Sequence, residues 1–296
     1  LTPSFIQRLE ALQLSVKWVR AGHRLGGRFA INRRGSSVEF ADYAPYCAGD
    51  DIRSIDWNLY ARLDRLFVKT YKEEIALSVE LIVDATASMG LPTAEKFERA
   101  ARLAVSLGYI GLSDDHHVRL SWIAPGRIEA SPWFHHPSDL IRMAERSSQV
   151  HVGLPTGQAG GSVTLSDWMR RAAAALRLRG GPAILITHGM ARPAEFFQAL
   201  HILMVRNLEI KVIQVLTPQE LRPGTLMRGG MVIDVETGST HQLAYSPAEL
   251  ARAMADHNEL LMRFCKRHGI PFAQHRLDEP LESFITHPLP SRGFLE

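Results

Sequence analysis

The residues best suited to chemistry lie in the stretch LIVDATASMG, Leu81 to Gly90. An apolar run ends in Asp84, and two hydroxyls follow at alternate positions, Thr86 and Ser88. Alternation can set all three oxygens on one side of a curling loop. Oxygen ligands suit a hard cation such as Mg²⁺ or Mn²⁺, which keeps several waters. One carboxylate and two neutral hydroxyls leave that cation under-neutralised, so it would draw a further anionic ligand, such as a partner's Asp or Glu. Two other readings are open. One is a metal-dependent phosphohydrolase with Asp84 as nucleophile; such loops carry a second aspartate two positions later, where this chain has Thr86. The other is a strand that stops at a capped polar turn.

The elements that must position Asp84 alternate from residue 77 onward. Residues 77–83, 118–124, 182–187 and 210–216 are strand-like, and residues 128–134 suit an edge strand after Pro125-Gly126. Residues 95–112, 138–146, 165–178 and 193–206 have helical patterns, with Pro193 suited to a first turn. Near-continuous apolar strands separated by helices predict an α/β fold with a doubly wound, mostly parallel sheet covered on both faces. In such sheets ligands gather at the carboxyl ends of strands, which is where Asp84 falls. Residues 232–235 and 241–245 read as a hairpin around Thr237-Gly238. Ser246-Pro247-Ala248-Glu249 is a helix start with a serine cap and a capping-box glutamate, and that helix runs to about His268 before Gly269. Residues 272–275 make a last strand. No G-x-G-x-x-G or G-x-x-x-x-G-K-[ST] motif occurs, which removes support for dinucleotide or P-loop binding.

The chain has 296 residues, enough for two domains or one large one. No window approaches a membrane helix or a signal-peptide core, which suggests a cytoplasmic protein. Cys47 and Cys265 are the two cysteines and are read as reduced. Net charge is only +3, but Arg20, Arg24, Arg28, Arg33 and Arg34 crowd one glycine-rich segment. Nucleic-acid binding through Arg20–Arg34 is an alternative, without aromatic interleaving to support it. His116-His117 and His135-His136 are adjacent pairs whose members cannot easily share a metal.

Residues 1–30 are read as one amphipathic helix ending at Gly26-Gly27. Residues 31–76 are polar, aromatic and irregular, with strand-like pieces at 38–43 and 66–71 and a short helix at 52–62. The mixture of acids and aromatics suggests a buried polar network. The division is therefore 1–76, an N-terminal elaboration, and 77–296, the α/β domain.

Two motifs are specific. DATASM resembles the Asp-x-Ser-x-Ser-Met of von Willebrand factor A-like domains, with Thr86 replacing one serine. The segment EFADYAPYCAGDDIRSIDW resembles the signature of the bacterial family called domain of unknown function 58, matched by Glu39, Phe40, Tyr46, Gly49, Asp50, Asp51, Arg53, Ile55, Asp56 and Trp57. Ala44 stands where the family has arginine. The likeness runs over about residues 20 to 290. It implies a von Willebrand A-type fold and a non-enzymatic role as adaptor or co-chaperone for a MoxR-type AAA+ ATPase and a client protein.

The resemblance also implies a metal site built from three loops. Asp84, Thr86 and Ser88 form the first, and Ser162 or Thr164 serves the second. The third normally carries Ser-Asp, where this chain has Thr187-His188. A later Asp-Pro-x-Glu becomes Thr217-Pro218-Gln219-Glu220. Losing carboxylates weakens Mg²⁺ binding, and imidazole at His188 favours softer ions. The expectation is a degenerate site with weak Mg²⁺ or Mn²⁺ binding, or none.

Overall fold

The structure, a computed structural model, describes residues 2–16, 39–72, 76–124, 126–152, 165–178, 180–222, 230–235, 239–243 and 246–296. These form two compact units, one of residues 17–76 and one of residues 1–16 with 77–296. The smaller unit ends where the sequence pattern changes, at residue 76, and the first sixteen residues group with the main unit.

Helix α1 (Pro3–Leu9) is short. The single helix read over 1–30 stops there because residues 13–16 run extended beside the last residues of the chain. Leu14 bridges Leu295, and Lys211 inserts its ammonium among the carbonyls of Ser15, Gly293 and Phe294. Gly26-Gly27 and Arg20–Arg34 lie outside the described residues.

The smaller unit pairs β1 (Glu39–Pro45) with β2 (Phe67–Lys72) antiparallel. Between them come a 3₁₀ turn (Ile52–Ser54) and α2 (Trp57–Leu63). Its described buried apolar residues are Ile55 and Val68, a small core. Of the expected buried polar network, the described residues show one centre, the buried carboxylate of Asp56 with Tyr43 and Lys69, while the rings of Tyr43, Trp57 and Tyr60 are exposed. A seven-residue helix over so small a core cannot cover its own aromatics.

The main unit continues with β3 (Ser78–Asp84), α3 (Glu95–Ser113), β4 (His117–Ala124), β5 (Arg127–Ala130), α4 (Leu140–Ser148), α5 (Leu165–Ala175), β6 (Gly181–Thr187), α6 (Pro193–Val205), β7 (Leu208–Leu216) and α7 (Pro218–Leu221). A hairpin of β8 (Gly230–Ile233) and β9 (Thr240–Leu243) follows, then α8 (Pro247–Arg267), β10 (Phe272–Arg276), α9 (Leu281–Thr286) and α10 (Pro288–Ser291). The Ser246–Glu249 capping box opens α8 as read. The edge strand is shorter than 128–134: Pro132, which has no N–H to give, interrupts it, and Phe134 rejoins as a lone bridge to Val118.

The sheet order is β10-β7-β6-β3-β4-β5, parallel except for β5. This is the expected doubly wound, mostly parallel α/β sheet. Side chains alternate across it. Leu81 and Val83 pack with α1, α3, α4 and α9, whereas Ile82, Leu185 and Val212 pack with α5, α6 and α8. From β3 the chain winds outward to β4 on one side and later to β6 on the other, so the switch point lies between β3 and β6. Among the described residues, no helix is long and apolar enough to cross a membrane.

Candidate functional site

Asp84 ends β3, and Thr187 ends the neighbouring β6. Val83 is registered against Ile186, which sets Asp84 beside Thr187 at the switch point. After Asp84 the chain turns into a 3₁₀ segment, Ala87–Gly90, so Thr86 and Ser88 curl back toward the carboxylate.

Each carboxylate oxygen of Asp84 accepts two hydrogen bonds. Oδ1 takes the Thr86 N–H at 3.0 Å and the Thr86 hydroxyl at 2.7 Å. Oδ2 takes the Thr187 hydroxyl at 2.6 Å and meets His188 Nδ1 at 3.1 Å. His188 Nε2 lies 3.0 Å from Ser88 Oγ, which is 3.0 Å from Thr86 Oγ1. The four side chains Asp84, Thr86, Ser88 and His188 therefore close a ring. Asp84 and His188 are both buried. Burial pushes the Asp84 carboxyl up. The His188 hydrogen bond and charge, with the Thr187 and Thr86 hydroxyls, outweigh it and hold the group at about 2.

The His188 loop is fixed from behind. Gln214 of β7 donates its amide to the His188 carbonyl at 3.0 Å and to Asn258 Oδ1 at 2.9 Å. The Gly189 N–H reaches Thr187 Oγ1, and His257 donates to the Gly189 carbonyl at 2.7 Å. Gly189 sits at φ +68°, which an L side chain adopts at a cost, and a Cβ there would crowd Leu261 and Gln214. Sequence reasoning missed Gln214, His257 and Asn258. Gln214 had a signal: it is a lone amide inside the apolar run VIQVL, and a buried amide demands partners.

Sequence reading expected Asp84, Thr86, Ser88 and His188 together, and they are. Ser162 and Thr164 lie outside the described residues. At the Thr217–Glu220 position the remaining acid has another task. Glu220 Oε2 accepts from the Thr217 N–H at 2.8 Å, and Oε1 pairs with the fully buried ammonium of Lys96 at 2.6 Å. That pair pins the start of α3 to the end of β7. Among the described residues, no cluster of three or more His, Cys, Asp or Glu side chains is arranged to hold a metal ion. An octahedral Mg²⁺ or Mn²⁺ needs open lone pairs and negative charge. Here the lone pairs of Asp84 are taken and an imidazole fills the gap, so the described residues do not fit that ion.

The histidine pairs separate as expected within each pair, but His117 and His135 meet across strands, with Nδ1 atoms 2.9 Å apart. Cys47 and Cys265 are free, and burial pushes the Cys265 thiol up to about 12, which makes it inert.

Among the described residues of the smaller unit, Asp56 is the signature acid that is buried. Oδ1 caps α2 through the N–H groups of Asn58 at 2.9 Å and Leu59 at 3.1 Å. Oδ2 accepts from the Tyr43 hydroxyl at 3.0 Å and pairs with Lys69 at 3.2 Å. Asp50 accepts the Cys47 N–H, and Asp51 accepts the Arg53 N–H, so these two acids shape turns. Gly49 stands at φ +114°, which only glycine adopts readily. Glu39 is in β1, Tyr46 donates its N–H to the Leu66 carbonyl, and Trp57 projects outward from α2.

An uncharacterized protein of Mycobacterium tuberculosis, Rv1480, is 26% identical over 98% of this chain and 90% of its own length. Solved structures similar to the chain include the conserved hypothetical protein BatB of Bacteroides thetaiotaomicron, at 15% identity and TM-score 0.43 over 73% of this chain and 98% of that one. A von Willebrand factor type A protein of Catenulispora acidiphila shows 17% identity and TM-score 0.33 over 66% of this chain and 43% of that one. The family described as protein of unknown function DUF58 matches residues 42–259, a span that holds both the Asp56 cap and the Asp84 ring, and the chain belongs to that family.

Proposed function

We propose that this chain is a non-enzymatic protein-interaction module working in the cytoplasm, an adaptor or co-chaperone between a MoxR-type AAA+ ATPase and a client protein. The observation that carries the reading is the exposed face of the signature segment. Asp56 spends its carboxylate on organising α2, and that helix with its flanking turn presents Ile52, Trp57, Tyr60 and Leu63 to solvent. Tryptophan and tyrosine anchors such as Trp57 and Tyr60 dominate protein–protein recognition. The Asp84 ring supports the same reading from the other direction, because a carboxylate saturated by its own neighbours makes a poor nucleophile or base.

The test is capture of a co-expressed MoxR-type ATPase by the tagged chain, with and without ATP. Trp57→Ala is expected to weaken capture at least tenfold while circular dichroism stays unchanged. Absence of association in every nucleotide state, with the tag on either chain, would overturn the proposal.

A further inference from the structure

The loops at this edge are those from which a divalent cation would be held, and the space between Asp84 and Ser88 is filled by a side chain. His188 spans it with both ring nitrogens, Nδ1 toward Asp84 Oδ2 at 3.1 Å and Nε2 toward Ser88 Oγ at 3.0 Å. We infer that the His188 imidazole stands in the place of the cation, as a tethered substitute that makes this edge independent of divalent metal.

Three observations carry this. The first is geometric. The edge of the ring between its two nitrogens faces the oxygens that a cation would have to share, so ion and ring exclude each other. The second is saturation. The ring of contacts has four links: Thr86 to Asp84, Thr86 to Ser88, Ser88 to His188 and His188 to Asp84. With the Thr86 N–H and the Thr187 hydroxyl added, each carboxylate oxygen of Asp84 already has two partners from within the chain.

The third observation is that the backbone carrying His188 is held in place. Its carbonyl is held by Gln214, the next residue is clamped by His257 and Thr187, and that residue, Gly189, takes a left-handed backbone. Admitting Mg²⁺ would mean expelling a buried ring and leaving one carboxylate to balance a double charge, since Glu220 is engaged by Lys96. Unbalanced buried charge is among the costliest arrangements in a protein. Among the described residues this edge has no open coordination position, so they cannot take a partner's carboxylate by ligation. On the interaction-module reading, partner capture at this edge is therefore insensitive to chelators.

The experiment reads metal binding rather than partner capture, so this inference and the proposed function fail separately. Mn²⁺ is titrated into the intact wild-type chain and followed by the electron paramagnetic resonance of the free ion, with Mg²⁺ followed by calorimetry. The expected result is no saturable binding below about 1 mM, the weak end of the range for carboxylate sites. Tight binding that Asp84→Asn abolishes would overturn the inference without any use of a His188 variant. His188→Asp removes the substitute and restores a carboxylate, and is expected to bind Mg²⁺ at least tenfold more tightly than wild type, with the gain lost on adding Asp84→Asn. A folded His188→Asp chain with no such gain would also overturn it.

Discussion

Asp56 and Asp84 make an instructive pair. Each is 7% exposed and accepts from four groups, yet burial is the largest influence on the Asp84 carboxyl and only the third on that of Asp56. Both are held at about 2. The Leu59 N–H and then the Tyr43 hydroxyl do this for Asp56, with Lys69 adding to it, whereas His188, Thr187 and Thr86 overcome burial for Asp84. The partners come from different distances. Two of those of Asp56 lie two and three residues along the chain, as a helix cap requires. Two of those of Asp84 lie more than a hundred residues away, on another strand. A local cap organises its own turn. A long-range ring ties two strands at a sheet's switch point, so its loss is felt by the whole unit.

The largest expected effect tests that difference directly. Asp84→Ala strips the buried Thr187, Thr86 and His188 of their common acceptor and is expected to destabilise the main unit by about 4 kcal/mol, read from the urea midpoint. Asp56→Ala is expected to leave that midpoint in place and to speed amide exchange in residues 39–72. Equal shifts of the midpoint by the two variants would break the comparison.

Acid sharpens it. His275 of β10 is fully buried, and burial first, then the Arg99 charge, hold it at about 4 against an ordinary 6.5. The fold keeps the ring neutral while the unfolded chain binds the proton. The main unit therefore loses stability as pH falls from 6.5 to about 4, by about 3 kcal/mol in full. The two aspartates behave in a lower window. Their stabilisation is complete above 3.8 and is lost as pH falls toward 2, with Asp84 worth about 2 kcal/mol. Amide protection in residues 39–72 should thus hold until about pH 3.8, after the main unit has begun to weaken. His275→Leu should flatten only the upper part of the main unit's acid profile.

The smallest effect lies inside the ring. Thr86→Val keeps the backbone N–H bond to Asp84 and removes the hydroxyl from two links, and should cost about 1 kcal/mol in the same urea measurement. A loss as large as that of Asp84→Ala would mean that the hydroxyls, not the carboxylate, hold the edge together.

Much of this was legible in the chain. The apolar runs ending at Asp84, Thr187 and Leu216 marked the central strands, because a strand covered on both faces has no polar face to alternate. Ser246-Pro247-Ala248-Glu249 marked α8, because a capping box is local chemistry. Asp84, Thr86 and Ser88 were legible as a set from their spacing. Residues 13–16 misled, since a helical pattern yielded to pairing with residues 294–296, which no local signal reveals. α9 and α10 were missed, because their proline-rich segment has too few residues for periodicity, yet it buries Phe284, Ile285 and Leu289 in the core.

The sequence by itself determined the central strands and the helices with clear periodicity or caps, the family and the chemical types gathered at the carboxyl end of the sheet, including a histidine where an acid was expected. Those features depend on residues within a few positions of one another. Only the tertiary structure decided that the His188 ring turns inward and bonds both Asp84 and Ser88. That contact spans a hundred residues and exists because β3 lies beside β6 in one register, with Gln214 and His257 holding the loop behind it.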